Sequence, residues 1–452
     1  MQNDNDRYGV HSMFAVIGAG PMGLATARNL KKYGIPFVGY ELNADVGGLW
    51  DIDNPHSTMY ESAHLISSRH MTEYAEFPMK EGPPYPHHSE LRDYFRSYAK
   101  HFDLYENYRF NTCVVNVVKS GDKWLLTSDK DGVEATDIFD GVLVANGTLH
   151  KPNMPSLSGH FNGELMHSAD YCSADIFDGK RVLVVGCGNS ACDIAVDAVH
   201  RAKSVDLSVR RGYYFLPKFV AGRPIDTLGG KTPLPRPLKQ KVDAAMIRMV
   251  VGKPSDYGLP DPDYKMYESH PVINSLVLHY LGHGDINPRG GIQDIQGKRV
   301  FFSDDGSAEY DLILMATGYK LDYPFMEREL LSWKGGDAPS MYLNCFHPNQ
   351  PGLFMMGMIE ATGLGWEGRN EQAEMVALYL KQRDAQAASA LKLQSTIESF
   401  GGERMDGGYN YLQLERMAYY VHKETYRRAI TKHIRELKSD LNTSPGFQAS
   451  HV

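Results

Sequence analysis

Two glycine-rich turns, each set between a strand and a helix, constrain this chain more than any other feature. The first, Gly18-x-Gly20-x-x-Gly23, lies in "FAVIGAGPMGLATARNLKKYGIPFVGYEL". Phe14 to Ile17 form a short apolar run, as expected of a buried strand. Pro21 to Tyr33 predict a helix, with lysines in its last turn and Gly34 as its stop. "PFVGYE" supplies the next strand. The second turn, Gly186-x-Gly188-x-x-Ala191, lies in "KRVLVVGCGNSACDIA" and is followed by the strand "VDLSVRR". A diphosphate can approach a backbone only where side chains are missing. It is then held by the N-terminal amides of the helix that follows. A β-α-β unit therefore occurs twice, and each copy is expected to bind a dinucleotide.

The strand ends distinguish the two units. Glu41 closes the second strand of the first unit, where a carboxylate accepts hydrogen bonds from ribose hydroxyls. Arg210 and Arg211 stand at the matching end of the second unit. An acid there would repel a 2′-phosphate, whereas arginine binds one by charge-assisted hydrogen bonds. The second unit is expected to prefer NADPH, with Asn189 and Ser190 in its turn. The first unit suits FAD, and "GGLW", with Gly48, Leu49 and Trp50, suits a backbone running close to a long ligand. The buried strands ending in "VANGT" and "MATGY", the latter with Thr317 and Gly318, are expected to return the chain to the nucleotide. Two such cofactors in one chain imply electron traffic, since nicotinamide delivers hydride and flavin accepts it.

Composition excludes several other classes. The chain has 452 residues, enough for two or three domains, and a net charge of −8 that gives no reason to expect nucleic-acid binding. No apolar run reaches the roughly 18 residues needed to span a bilayer. The polar ends "MQNDNDRYGVHS" and "KSDLNTSPGFQASHV" lack the core of a signal peptide and a tail anchor. Five cysteines form no disulfide framework, so a soluble cytoplasmic protein is expected. Cys187 and Cys192 lie inside the second glycine turn and its helix, which makes them small fillers and not a redox pair facing a flavin. His87 and His88 are adjacent and have no third ligand nearby, so no metal site is expected. A helix is predicted over 89–102, with Ser89 as N-cap and Leu91, Tyr94, Phe95, Tyr98 and Phe102 on one face. Residues 108–128 alternate as strands do, and a hairpin is expected at Asp305-Gly306. Residues 217–290 are proline-rich and show no clear pattern. The last stretch, from about residue 390, is charged and expected to be helical.

The order of these pieces resembles the flavin-containing monooxygenases. The specific evidence is "FNGELMHSADY", just upstream of the second unit: Phe161-x-Gly163-x-x-x-His167-x-x-x-Tyr171. It is similar to that family's identifying pattern, whose last position is Tyr or Phe, whereas the sister Baeyer–Villiger group carries Trp there. "GCGNSACDIA", "VRRGYYFLP", "DYGLPDPDYKMYESHP" and "ILMATGYKLDYPF" extend the likeness from about Phe14 to Leu380. The resemblance implies an α/β fold of two Rossmann-like domains, the second inserted into the first. FAD-binding parts are expected at 1–172 and 300–452, and an NADP-binding domain at 173–299. It further implies that NADPH reduces the FAD and that dioxygen forms a C4a-hydroperoxyflavin, which transfers one oxygen to a small nucleophilic nitrogen or sulfur compound. A homodimer is compatible with this reading, and no membrane partner is expected.

The resemblance also assigns roles. His167 would hold the linker and couple the domains, and Gln372 in "NEQAEMVALYL" would lie near the flavin ring. In "HLISSRHMTEYAEFP" the family's asparagine position falls on Ile66 and its lysine position on Arg69. Isoleucine cannot hydrogen-bond, which leaves Ser67 and Ser68 to compensate. Three alternatives remain: Baeyer–Villiger oxidation of ketones, a largely uncoupled NADPH oxidase making hydrogen peroxide, and a nucleotide-holding redox sensor without turnover.

Overall fold

The computed structural model describes residues 12–228, 234–333 and 335–443. Most of the two polar ends, 1–11 and 444–452, on which the expectations about leader and tail rest, lies outside the described residues. Two all-parallel five-stranded sheets organise the chain. The first runs 353–355, 141–144, 14–17, 37–40, 108–109 in spatial order. The second runs 164–167, 312–315, 181–185, 204–208, 286–289. Phe14–Ile17 and Leu312–Met315 are buried throughout, as strands covered on both faces must be.

Each sheet carries its glycine turn at the carboxyl end of a central strand. Helix Pro21–Lys32 follows the first, and helix Asn189–Val199 follows the second. The core of the first unit lies between its sheet and the helices Pro21–Lys32, Gly365–Asp384 and Lys423–Thr443. Gly365–Asp384 is buried nearly all round, with Gln372 and Gln382 sealed inside by hydrogen bonds. Three antiparallel strands, 113–120, 123–130 and 133–139, attach to this unit. The expected hairpin forms between 299–302 and 307–309, with Asp305 at φ +60°.

The chain passes between the units at one place. Lys151–Pro152 pairs antiparallel with Tyr319–Lys320, and Thr317 Oγ1 donates to the Asn153 carbonyl at 2.5 Å. The expected limits at 172/173 and 299/300 therefore cut through the second unit. Strand Glu164–His167 and strand Leu312–Met315 both belong to its sheet. The reason lies in pairing: both are parallel neighbours in the second sheet, and a sheet keeps the strands that satisfy its backbone bonds. The predicted helix at 89–102 spans His88–His101 instead, with His87 as its N-cap in place of Ser89. The His87 ring accepts from the Ser89 amide, and Glu90 accepts from the His87 amide. This local role accounts for the adjacent histidines, and no metal-holding group of side chains exists among the described residues. The 217–290 segment contains the helix Arg236–Val251, of which only Gln240 is buried.

Candidate functional site

Both glycine turns open onto one continuous cavity of about 2610 Å³. Glycine is required at these turns for two different reasons. Gly18 (φ +102°) and Gly186 (φ +124°) adopt the left-handed region, and an added Cβ would run into the Ala145 and Ala316 carbonyl oxygens respectively. Gly23 packs its helix against Gly18 and does not face the cavity. Gly188 differs, because a Cβ there would meet no protein atom within 4 Å. The space above it is left open for a ligand. Gly20 faces only the Gly48 Cα, 3.6 Å from its hypothetical Cβ. Neither following helix has a side-chain cap, so its first amides remain available to an anion. This backbone geometry has room and free amides for two diphosphates.

The two strand ends are held in different ways. Glu41 is 4% exposed and lines the cavity. Its carboxylate accepts from the Ala19 amide at 2.6 Å and from the Asn43 amide and side chain at 2.9 and 2.7 Å. Burial pushes its pKa up, against those hydrogen bonds. Arg211 is committed elsewhere: it grips Asp263 through two bonds of 2.9 and 3.0 Å. Arg210 lines the cavity with no hydrogen bond or ion pair to any described residue, so the anion-binding charge is free at only one of the two arginines. Asn189 and Ser190 line the cavity as well. The Asn189 side chain accepts from the Ile273 amide at 2.7 Å, which ties segment 270–274 to the turn. Leu49 and Trp50, in a short 3-10 turn with Gly48, line the first cradle, and Trp50 stands edge-on to Trp366. Thr317 and Gly318 line the cavity just past the end of the second sheet.

Besides Gly23, four expected residues lie off the cavity wall. Arg69 is 3% exposed and donates to the carbonyls of Pro83 and Lys80, clamping the 80–84 loop. Ser68 is 1% exposed, and its amide donates to Asp226. Ser67 lines the cavity next to Ile66, and Thr72 of the same stretch lines it too, with its hydroxyl donating to the Ser68 carbonyl at 2.9 Å. Ile66 packs towards Leu216, Met266 and Ile273, so it forms part of an apolar wall. Gln372 is fully buried; its side chain accepts from the Gly357 amide at 2.8 Å and donates to the Tyr426 hydroxyl at 2.7 Å. It shapes the loop that lines the cavity without facing it. His167 is 3% exposed; its Nδ1 accepts from the Ala169 amide at 3.0 Å, and burial pushes its pKa down. Residues 168–170, which this cap orients, line the cavity. Tyr171 donates to Asp197 at 2.9 Å and stacks on Phe177, so it anchors the linker away from the cavity.

Sequence reasoning missed the polar wall around Glu360, Thr362, Arg416 and Tyr420, which sit in stretches without a motif. It also missed Asp193, a cavity residue whose carboxylate accepts from Asn274 at 2.6 Å and Tyr60 at 3.0 Å. Its signal was present as the one acid in "SACDIA". Cys187 and Cys192 are buried and free, as fillers should be.

The sequence profile of the Flavin-binding monooxygenase-like family matches residues 11–421. Flavin-containing monooxygenase 5 of Cavia porcellus is 33% identical over 374 residues, covering 77% of this chain and 69% of that protein. S-allyl-L-cysteine S-oxygenase from Allium sativum shares the fold at a TM-score of 0.64 and 20% identity, over 96% of this chain and 93% of that one. Cyclohexanone monooxygenase with ε-caprolactone bound superposes at 0.71 and 17% identity, over 97% and 99%. OTEMO in complex with FAD and NADP superposes at 0.67 and 17% identity, over 96% and 98%.

Proposed function

The chain belongs to the flavin-binding monooxygenase-like family and uses FAD and NADPH, and from that premise we propose that it transfers one atom of dioxygen to a nucleophilic nitrogen or sulfur of a small organic substrate. The observation that carries this reading is the single cavity shared by two unlike cradles, one ending in Glu41 and the other in a free Arg210. When bound, the flavin supplies the redox chemistry that activates dioxygen with electrons delivered by NADPH.

The chain's own residues do the rest. The turn at Gly18 and Gly20 would hold the FAD diphosphate with the Pro21–Lys32 helix amides, and Glu41 would take its ribose hydroxyls. The turn at Gly186 and Gly188 would hold the NADPH diphosphate, and Arg210 its 2′-phosphate. Asn189 fixes segment 270–274 across the second cradle. Ile66, Leu216, Met266 and Ile273 form an apolar wall that keeps water from the reaction space. Ser67, next to Ile66 in the chain, offers a hydroxyl donor on the cavity lining. No described helix is long and apolar enough to cross a membrane.

One observation favours a second reading. Ile66 gives no hydrogen bond where it lines the cavity, and a wall short of donors favours loss of the oxidising equivalent as hydrogen peroxide. The test offers the FAD-loaded enzyme a thioether, a tertiary amine and a ketone, with NADPH and air. Sulfoxide or N-oxide formed in step with NADPH supports the proposal. Ester formed from the ketone alone would move the assignment to Baeyer–Villiger oxidation. Peroxide equal to NADPH consumed, with no oxygenated product, would establish the oxidase.

A further inference from the structure

One corner of the cavity is built without either glycine turn. It is formed by loop 359–364, segment 411–423 and His270, all but Ile359, Leu364, Leu412 and Ala418 on the cavity wall. The two chain segments are joined by a bridge between Glu360 and Tyr420 and by the Val421 amide donating to the Glu360 carbonyl at 2.8 Å. Arg416 Nη2 donates to Glu360 Oε2 at 3.0 Å, and its Nε is buried with no partner among the described residues. Arg369 is satisfied: it donates to the Gly365 and Ile359 carbonyls at 3.0 Å each and lies 3.7 Å from Glu360. The Lys423 ammonium stands beside Gly363 and makes no ion pair among the described residues. Glu424, its neighbour, is paired with His422 at 2.9 Å.

The charges in this corner do not cancel. Arg369 and Arg416 together face one carboxylate, Glu360, while Glu415 on the same wall is held by Asn153 and Lys320, and Glu424 partly offsets Lys423. Burial works against the ionised form of Glu360, but Arg416 and Arg369 outweigh it and hold its pKa low. His270 brings no charge, because burial and Arg416 push its pKa down to about 3. Neutral donors complete the wall. The Thr362 and Tyr420 hydroxyls lie 2.6 Å apart, His270 Nδ1 is 3.2 Å from the Tyr420 hydroxyl, and His270 Nε2 has no partner. A surplus of positive charge enclosed by protein is costly unless an anion shares the space. A guanidinium that spends Nη2 on Glu360 and leaves 39% of its side chain exposed keeps its Nη1 donors for a second carboxylate. A cationic ligand would reach Glu360 only against two arginines.

Building on the monooxygenase reading above, we propose that this corner is a substrate subsite for a carboxylate, so that the oxygen acceptor is an amine or thioether bearing an acid group. Arg416 is its main anchor, Lys423 adds long-range attraction, and Thr362 and Tyr420 supply neutral donors.

Two matched probes test this: (benzylthio)acetate and its neutral amide, offered to the FAD-loaded enzyme. Binding is measured first, by thermal shift and by change in the flavin absorbance without NADPH, and turnover second. The acid is expected to bind on the order of tenfold to hundredfold tighter than the amide. Arg416→Gln should remove that preference while leaving amide binding unchanged, Arg416→Lys should restore part of it, and Lys423→Gln should weaken it by a smaller factor. Flavin content reports whether each variant is folded. Equal binding of acid and amide by the unaltered enzyme, or no binding of the acid, overturns the subsite. An Arg416→Gln variant that loses both probes equally also overturns it. Preferential binding of the acid without any sulfoxide would keep the subsite and remove the sulfur-oxygenation reading instead.

Discussion

Arg210 and Arg211 are neighbours in sequence, yet the structure leaves only Arg210 free to meet an anion. Arg211 already holds Asp263 with two bonds. A charge-assisted bond to a phosphate contributes about 1.5–3 kcal/mol, so Arg210→Ser should weaken NADPH binding roughly tenfold to hundredfold. NADH, which has no 2′-phosphate, should bind the variant as before. Initial rates of flavin reduction against the concentration of each nucleotide measure the effect, and a selectivity unchanged by the substitution would exclude Arg210 as the phosphate ligand. The glycines separate in the same way. Gly188→Ala adds a methyl group into open space, so the protein should fold and keep FAD but reject NADPH. Gly186→Ala forces a Cβ onto the Ala316 carbonyl at φ +124°, so it should damage the second unit itself. Melting temperature and flavin content of the two variants distinguish a blocked cradle from a broken one.

At the scale of elements, we propose that the linker "FNGELMHSADY" couples the two units. Its strand Glu164–His167 joins the second sheet, and His167 caps the turn 168–170 that lines the cavity. His167→Ala should therefore slow reduction by NADPH while FAD is retained, at a cost of about 1–3 kcal/mol to stability. His167→Asn, which can still accept from the Ala169 amide, should recover part of the loss. Reduction kinetics unchanged in His167→Ala would remove the coupling role. The two β-α-β units were legible because a glycine turn, a helix start and a strand end lie close together in sequence. Arg69 and Gln372 were misplaced for the opposite reason. Their partners, the 80–84 loop, Gly357 and Tyr426, are set by tertiary packing, so position in a motif gave no sign that the side chains turn away from the cavity. The unit boundary at 299/300 failed similarly. Leu312–Met315 is an apolar run with no mark of which sheet it joins. Helix Arg236–Val251 was obscured because it buries only Gln240 and so leaves no amphipathic pattern of burial. The carboxylate subsite was invisible because Glu360, Arg416 and His270 come from three separate segments.

The whole molecule packs two large units around a shared cavity, and this traps several histidines in their neutral form. His347 is 4% exposed; its Nδ1 accepts from the Asn349 amide at 3.0 Å, and its Nε2 lies 2.9 Å from the Ser332 hydroxyl. Burial lowers its pKa to about 4, and the same cause lowers that of His270 to about 3. In the unfolded chain these rings take up protons near pH 6.5. Below that pH the unfolded state holds more protons than the folded state, so stability rises with pH between the two values. The contribution of His347 is complete above about pH 6.5 and is lost as the pH falls towards 4. Glu41, Asp193 and Glu367, whose pKa values are raised mainly by burial, act with the opposite sign, so the total slope mixes the two groups. A difference measurement separates them. The free energy of unfolding in urea, followed from pH 7.5 to 5, should fall more steeply for the unaltered protein than for His347→Asn. The slopes should differ by about 1.4 kcal/mol per pH unit in the lower part of the range. Asparagine keeps an acceptor for the Asn349 amide, so the variant should remain folded. Parallel slopes would mean that His347 takes up its proton in the native state as readily as in the unfolded chain, and would remove this account of the pH dependence.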